Sequence, residues 1–249
     1  MINNPFLMQC TNLRFRYPNL TLPDNRQWLL NIENLVITSG VVYSLHGENM
    51  SGKSTLVKLI TGILPRFPKK YLEGIISFNN SITTLPANVG TMKSNGISVV
   101  HQSDAMFPAL SIWENVSLGN YNQFFMPSNT KERMEFIKQI IKDFDGSEKI
   151  THDKLLGELS GGTRTLCRLL RAIVWGYKIL FLDEPTIHLD KQNYDKFYKI
   201  LETNLQNNSA IVLISHNVVD HTKIQEIATN KNYNYKVLRL EEGRIINLE

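Results

Sequence analysis

Gly47-Glu48-Asn49-Met50-Ser51-Gly52-Lys53-Ser54-Thr55 fits the pattern G-x-x-x-x-G-K-[ST], and the reading of this stretch decides the fold. A loop of this kind wraps phosphate oxygens in backbone N–H groups, with Lys53 reaching the β/γ oxygens and Ser54 available to Mg²⁺. The pattern carries that meaning only between a strand and a helix. Upstream, residues 41–45 (Val-Val-Tyr-Ser-Leu) are a short β-prone run; downstream, residues 55–60 are apolar at helical spacing. The setting is therefore right, and the helix N-terminus adds its own attraction for an anion. A nucleotide site is the premise that the flanking chain must qualify.

Working outward, residues 10–17 alternate polar and apolar and are closed by Pro18, which predicts a half-buried edge strand. A turn-rich excursion through Pro23 and Asp24-Asn25 precedes a strand over 29–37. Residues 64–71 are a Pro-containing connection, 74–78 a strand, Asn79-Asn80 a turn, and 96–100 a short buried strand running into His101-Gln102. From about 103 to 176 no strand candidate appears. Residues 111–118 and 130–144 read as helices, with a loop over 124–129 between them, and Ile137, Ile140, Ile141 and Phe144 mark the apolar face of the second. Strands then return at 178–182 and 210–214, alternating with helices at 191–204 and 219–229, and a hairpin around Glu242-Gly243 ends the pattern. The expectation is an α/β fold with a mostly parallel central sheet that presents ligands at its strand C-termini. Residues 1–102 and 177–249 form the nucleotide-binding core of that reading, and 103–176 an inserted helical subdomain.

Composition narrows the class. A chain of 249 residues, 42% hydrophobic and 20% charged, buries a sizeable core and is not disordered. The net charge of +4 is spread out, as at Lys69-Lys70 and from Arg164 to Arg171, so direct nucleic-acid binding is not expected. Cys10 and Cys167 stand far apart, against a disulfide framework or a cysteine metal site. No basic leader with an apolar stretch opens the sequence, and no window reaches 18 uncharged apolar residues, so no membrane span is expected.

Two further stretches carry chemistry. The strand 178–182 delivers Asp183 and Glu184 to the sheet edge of the phosphate loop, where Asp183 can hold hydrated Mg²⁺ beside Ser54 and Glu184 can polarise a water attacking the γ-phosphate. Leu159-Ser160-Gly161-Gly162 precedes a helical run from Thr163 to about Trp175. Such a stretch is either a plain cap and turn or a second anion-binding corner. One phosphate loop already suffices for one nucleotide, so a second corner suits a nucleotide held by another subunit.

Taken in order, these motifs make the chain resemble the ATP-binding subunit of the ATP-binding cassette (ABC) transporter family over nearly its whole length: the phosphate loop 47–55, Gln102 at the glutamine loop, the signature Leu159-Ser160-Gly161-Gly162-Thr163, residues 179–184, Ile187-His188-Leu189-Asp190 at the dimer contact, and the switch histidine His216. The resemblance implies a P-loop NTPase with an N-terminal antiparallel β subdomain, binding ATP and Mg²⁺. It implies that Tyr17, or else Phe15, stacks on adenine, and that Gln102, with Ser54 and Asp183, approaches the metal and the attacking water. Glu184 is then the catalytic base and His216 the γ-phosphate contact. Ser160, Gly161 and Gly162 face the ATP of the opposite subunit, and Asp190 organises the seam. Thr163 replaces the usual glutamine and Ile187-His188 replace smaller residues, while the Ser-Gly-Gly core is intact.

What the resemblance implies about the work done is a transport complex: two cassettes, identical or different, closing over two ATP, docked through separate integral permease subunits on the cytoplasmic face of a membrane. Phe107, Leu110 and Trp113 either present an apolar groove to such a partner or belong to the subdomain core. The sequence ends after the final hairpin, which leaves no appended sensing domain in this reading, and the separate-subunit layout favours import. The alternative is a non-transport ABC ATPase acting on nucleic acid or an assembly machine, a class whose long coiled-coil insertions or paired cassettes are not seen here. A regulator that binds ATP without turnover is opposed by Glu184 and His216.

Overall fold

The computed structural model describes residues 6–22, 26–64, 67–78, 81–101, 106–118, 130–145, 151–174, 176–187 and 189–248. Its centre is a six-stranded sheet in the order β10-β9-β3-β8-β7-β6, built from β3 (Val41–His46), β6 (Ile97–Val100), β7 (Ile179–Asp183), β8 (Ala210–Ile214), β9 (Asn234–Glu241) and β10 (Arg244–Leu248). All neighbours are parallel except the β9–β10 hairpin, whose turn residues Glu242 and Gly243 both have φ in the left-handed region. Every residue of β7 and β8 is buried, as expected of parallel strands covered on both faces.

Strand alternation sends successive side chains to two separate cores. Val42, Leu180, Leu182, Ile211 and Leu213 face the helical side, which holds α3 (Ile112–Ser117), α4 (Thr130–Asp145), α5 (Gly161–Ile173), α6 (Lys191–Thr203) and α7 (Val218–Asn230). Tyr43, Leu45, Phe181, Val212 and Ile214 face α1 (Lys53–Ile60) and a second, antiparallel sheet. That sheet has the order β2-β1-β4-β5, from β1 (Phe6–Phe15), β2 (Leu30–Thr38), β4 (Leu72–Phe78) and β5 (Ser81–Thr84). Between β6 and β7 the regular elements among the described residues are helical, so the parallel sheet, the antiparallel sheet and the helical insertion of the expected α/β P-loop fold are all present.

The structure corrects one strand. The run over 10–17 was expected at an edge, but β1 is interior, paired with β2 on one side and β4 on the other. Pro18 does not interfere because the strand stops at Phe15, so the missing N–H falls outside the ladder. β5 and the one-turn helix α2 (Val89–Ser94) had no sequence signal, since four and six residues are too few for a period to appear. The expected turn at Asn79-Asn80, the loop over 124–129 and the excursion at Pro23 to Asn25 lie outside the described residues.

Candidate functional site

Parallel strands end on one edge, and here that edge gathers the chemistry. β3 ends at His46, directly before Gly47; β7 ends at Asp183, before Glu184; β8 ends at Ile214, before Ser215-His216. A cleft of about 450 Å³ is lined by Tyr17, by Met50 to Thr55, by Glu184 and by His216. That volume is in the range of small-molecule sites. Gly47, Glu48 and Asn49 line an adjoining cavity of about 460 Å³, together with Arg26 and Arg239.

The phosphate loop turns into α1 at Gly52, whose φ of 104° is in the region that favours glycine, and a side chain there would meet Leu30. Gly52 caps α1 without a side-chain hydrogen bond, leaving the helix N-terminus to present N–H groups and a positive dipole end to an anion. Lys53 is buried, and its Nζ donates to the carbonyls of Gly47 and Glu48 at 2.7 Å each. Burial lowers its pKa, while the nearby Glu184 and Asp183 carboxylates oppose that shift.

Ser54 Oγ donates to Asp183 Oδ1 at 3.0 Å, and Asp183 is buried with its Oδ2 3.6 Å from His101 Nδ1. A hydroxyl and a carboxylate are the hard oxygen donors that Mg²⁺ takes in ones and twos, leaving its other positions to water and phosphate. The residues fit that ion. Among the described residues no cluster of three or more His, Cys, Asp or Glu could hold a metal.

Glu184 has φ of 50°, unusual for a residue with a side chain. Its Oε1 accepts the His216 backbone N–H at 3.0 Å and lies 3.5 Å from His216 Nε2. Burial raises the Glu184 pKa, and His216 only partly counters this, which makes the carboxylate a better base than an exposed glutamate.

Of the two candidate aromatics, Phe15 is fully buried in the core, whereas Tyr17 is half-buried, lines the cleft and is buttressed edge-on by Phe15 and Phe67. Ser160, Gly161 and Gly162 do not line the cleft. They sit at the start of α5, where Ser160 Oγ accepts the Thr163 N–H at 3.2 Å and meets Thr163 Oγ1 at 2.9 Å. Asp190 is outside the cleft too, capping α6 by accepting the Asn193 N–H at 2.8 Å. Asn193 joins the two: its Nδ2 donates to Asp190 Oδ2 at 3.0 Å and stands against Gly162, where an added Cβ would lie 2.3 Å from it. Gln102 and His188 lie outside the described residues. Sequence reasoning missed His101 beside Asp183 and Asn193 beside Gly162, because these contacts form only in the fold.

The family model described as ABC transporter matches residues 30–187. The L-arabinose transport ATP-binding protein of Geobacillus stearothermophilus is 30% identical over 225 residues, 90% of this chain and 41% of that protein. The ribose import ATP-binding protein of Shouchella clausii is 29% identical, over 84% of this chain and 41% of the relative; the xylose import ATP-binding protein of Histophilus somni is 30% identical, over 75% and 36%. The chain thus spans about two fifths of the length of these curated relatives. A crystal structure of a nucleotide-free ATP-binding cassette from an ABC transporter shares the fold, with TM-score 0.70 and 21% identity over 97% of this chain and 90% of that one. With the family model covering well over half of its residues, the chain belongs to the ABC transporter family.

Proposed function

We propose that this chain binds ATP with Mg²⁺ and hydrolyses it, and that hydrolysis between two cassettes energises import through a membrane complex. The observation that carries the reading is the convergence of Lys53, Ser54, Asp183, Glu184 and His216 on one cleft edge. Tyr17 offers its ring to adenine. The loop 47–55 and the α1 N-terminus hold the phosphates, with Lys53 as a fixed cation. Ser54 and Asp183, joined by Gln102, would hold Mg²⁺, which supplies charge neutralisation at the phosphate oxygens when bound. Glu184 takes the proton from the attacking water, and His216 steadies that water and the γ-phosphate. The relatives' names, L-arabinose, ribose and xylose import or transport, favour an importer of small sugars, with cargo chosen by other subunits.

In this reading the second cassette, a copy or a related chain, brings its Ser160, Gly161 and Gly162 to the ATP held here. Its Asp190 lies at the seam. Residues 103–176 are the helical subdomain, inserted between 1–102 and 177–249, and the assembly sits on the cytoplasmic face of a membrane beside separate permease subunits. Phe107 is half exposed and available to such a partner, while Trp113 packs on the helical core. No helix among the described residues is long and apolar enough to cross a membrane.

The test is ATP turnover by wild type against Glu184→Gln. General-base loss predicts a fall in kcat of about 10²–10⁴-fold, with ATP binding retained and an ATP-bound dimer accumulating. Turnover at the wild-type rate would refute the assignment.

A further inference from the structure

One buried carboxylate has no part in the site described above. Asp220, in the first turn of α7, is fully buried. Its Oδ2 accepts the Ser215 hydroxyl at 2.6 Å and the Thr186 hydroxyl at 2.7 Å. Ser215 directly precedes His216, and Thr186 follows Glu184 by two residues. Ser215 is held on its other sides as well: its Oγ accepts the Asn217 N–H at 3.0 Å, and its carbonyl meets His221 Nε2 at 2.8 Å. The phenols of Tyr194 and Tyr198 on α6 lie in the field of Asp220, which adds to burial in raising the pKa of both.

A carboxylate withdrawn from water is costly, and an apolar side chain would fill the same space without that penalty. Two short hydrogen bonds to Oδ2 and the α7 N-terminus offset part of that cost. What an apolar residue could not supply is geometry: hydroxyls from two different loops converge on a single oxygen. The register of β7 on β8 fixes Asp183 opposite Ile214 but ends there. Glu184 and His216 lie just beyond, and Glu184 is in a backbone region that has to be imposed by its surroundings.

We propose that Asp220 is a positioning residue, clamping Thr186 and Ser215 to one oxygen and so setting Glu184 against His216 for hydrolysis. The inference rests on the roles given to Glu184 and His216 under the proposed function. It assigns Asp220 no contact with ATP, metal or water.

The experiment compares Ser215→Ala, Thr186→Val, their double variant and Asp220→Asn with wild type. Steady-state turnover gives kcat and KM for ATP, and amide exchange in nucleotide-free protein reports on the peptides spanning 184–187 and 215–217. Each single removal is expected to lower kcat about tenfold or more with KM within about twofold, as misplacement of catalytic groups does. The double variant should be no worse than the poorer single one, because both arms serve one clamp. Exchange should quicken at His216, whose N–H bonds Glu184, and Thr186→Ser should restore what Thr186→Val loses. Wild-type kcat in the single variants, additive losses, or a change in melting temperature alone would overturn the clamp. The two readings fail separately. An inactive Glu184→Gln with a normal Ser215→Ala sinks the clamp only, whereas an active Glu184→Gln sinks the hydrolytic reading and the clamp's purpose with it.

Discussion

Adjacent glycines at the start of α5 should answer the same substitution in opposite ways. A Cβ at Gly161 would meet nothing within 4 Å, whereas a Cβ at Gly162 would lie 2.3 Å from Asn193 Nδ2 and 2.7 Å from its Cγ. Neither glycine has a positive φ, so backbone strain does not enter. In a helix, alanine is favoured over glycine by about 0.5–1 kcal/mol through the unfolded chain, and less in a first turn. Gly161→Ala should therefore gain about 0.5 kcal/mol. Gly162→Ala has the same gain set against overpacking of about 1–3 kcal/mol, because Asn193 is buried and its amide is engaged with Asp190. The net loss is about 0.5–2.5 kcal/mol, and the two variants should differ by about 2 kcal/mol. For a chain of this size that is roughly 4–8 °C in melting temperature, read by thermal unfolding of the nucleotide-free protein. Turnover separates the two effects. Under the proposed composite site, Gly161→Ala should lose ATPase activity while unfolding no earlier than wild type, because its methyl group would crowd the nucleotide of the opposing subunit. Equal melting temperatures, or a destabilised Gly161→Ala, would refute the packing argument; full activity in Gly161→Ala would refute the composite site.

Tyr17→Ala should weaken ATP binding by about 1–3 kcal/mol, roughly 5- to 150-fold in Kd, if the ring stacks on the base. Tyr17→Phe should stay within about twofold, because the hydroxyl makes only a long 3.4 Å contact with Thr55 Oγ1; unchanged binding in Tyr17→Ala, by fluorescent-nucleotide titration, would return the ring to a structural role. Glu184 also predicts a pH signature. Its folded pKa is raised above the ordinary 4.5, so the folded state keeps a proton that the unfolded chain has lost, and this penalty on stability grows as pH rises from 4.5 through the folded value. Glu184→Gln lacks that penalty, so its melting temperature should exceed that of wild type near neutral pH and converge with it below pH 4.5. An offset independent of pH would contradict the raised pKa.

Most of the site was legible because its signals are local. The phosphate loop names itself by glycine spacing, and Asp183-Glu184 and Ser215-His216 follow four and five consecutive apolar residues, short runs that read as buried strands of a parallel sheet. Where sequence reading failed, the deciding contact was distant. β1 looked like an edge because Pro18 was counted with the strand, and only its pairing with β4, more than fifty residues on, makes it interior. The choice between Phe15 and Tyr17 turned on burial, which alternation alone does not resolve at a strand's frayed end. Asp220 gives no signal at all, since Thr186, Ser215 and Asp220 become one cluster only when β7, β8 and α7 meet.

The division of labour within the site follows from the same geometry. Lys53, Ser54, Asp183, Glu184 and His216 lie on the edge formed by β3, β7 and β8, whereas Ser160 and Gly161 are exposed at the start of α5 and take no part in the cleft. Gly162 is bound through Asn193 to the cap of α6, so the signature and Asp190 are fixed to each other rather than to their own phosphate loop. Two features held together outside the cleft of their own chain are what the proposed pairing of two cassettes requires. Under that proposal Asn193 would couple the two: a shift of Asp190 at the seam would pass through its amide to Gly162, and crowding at Gly162 would pass back.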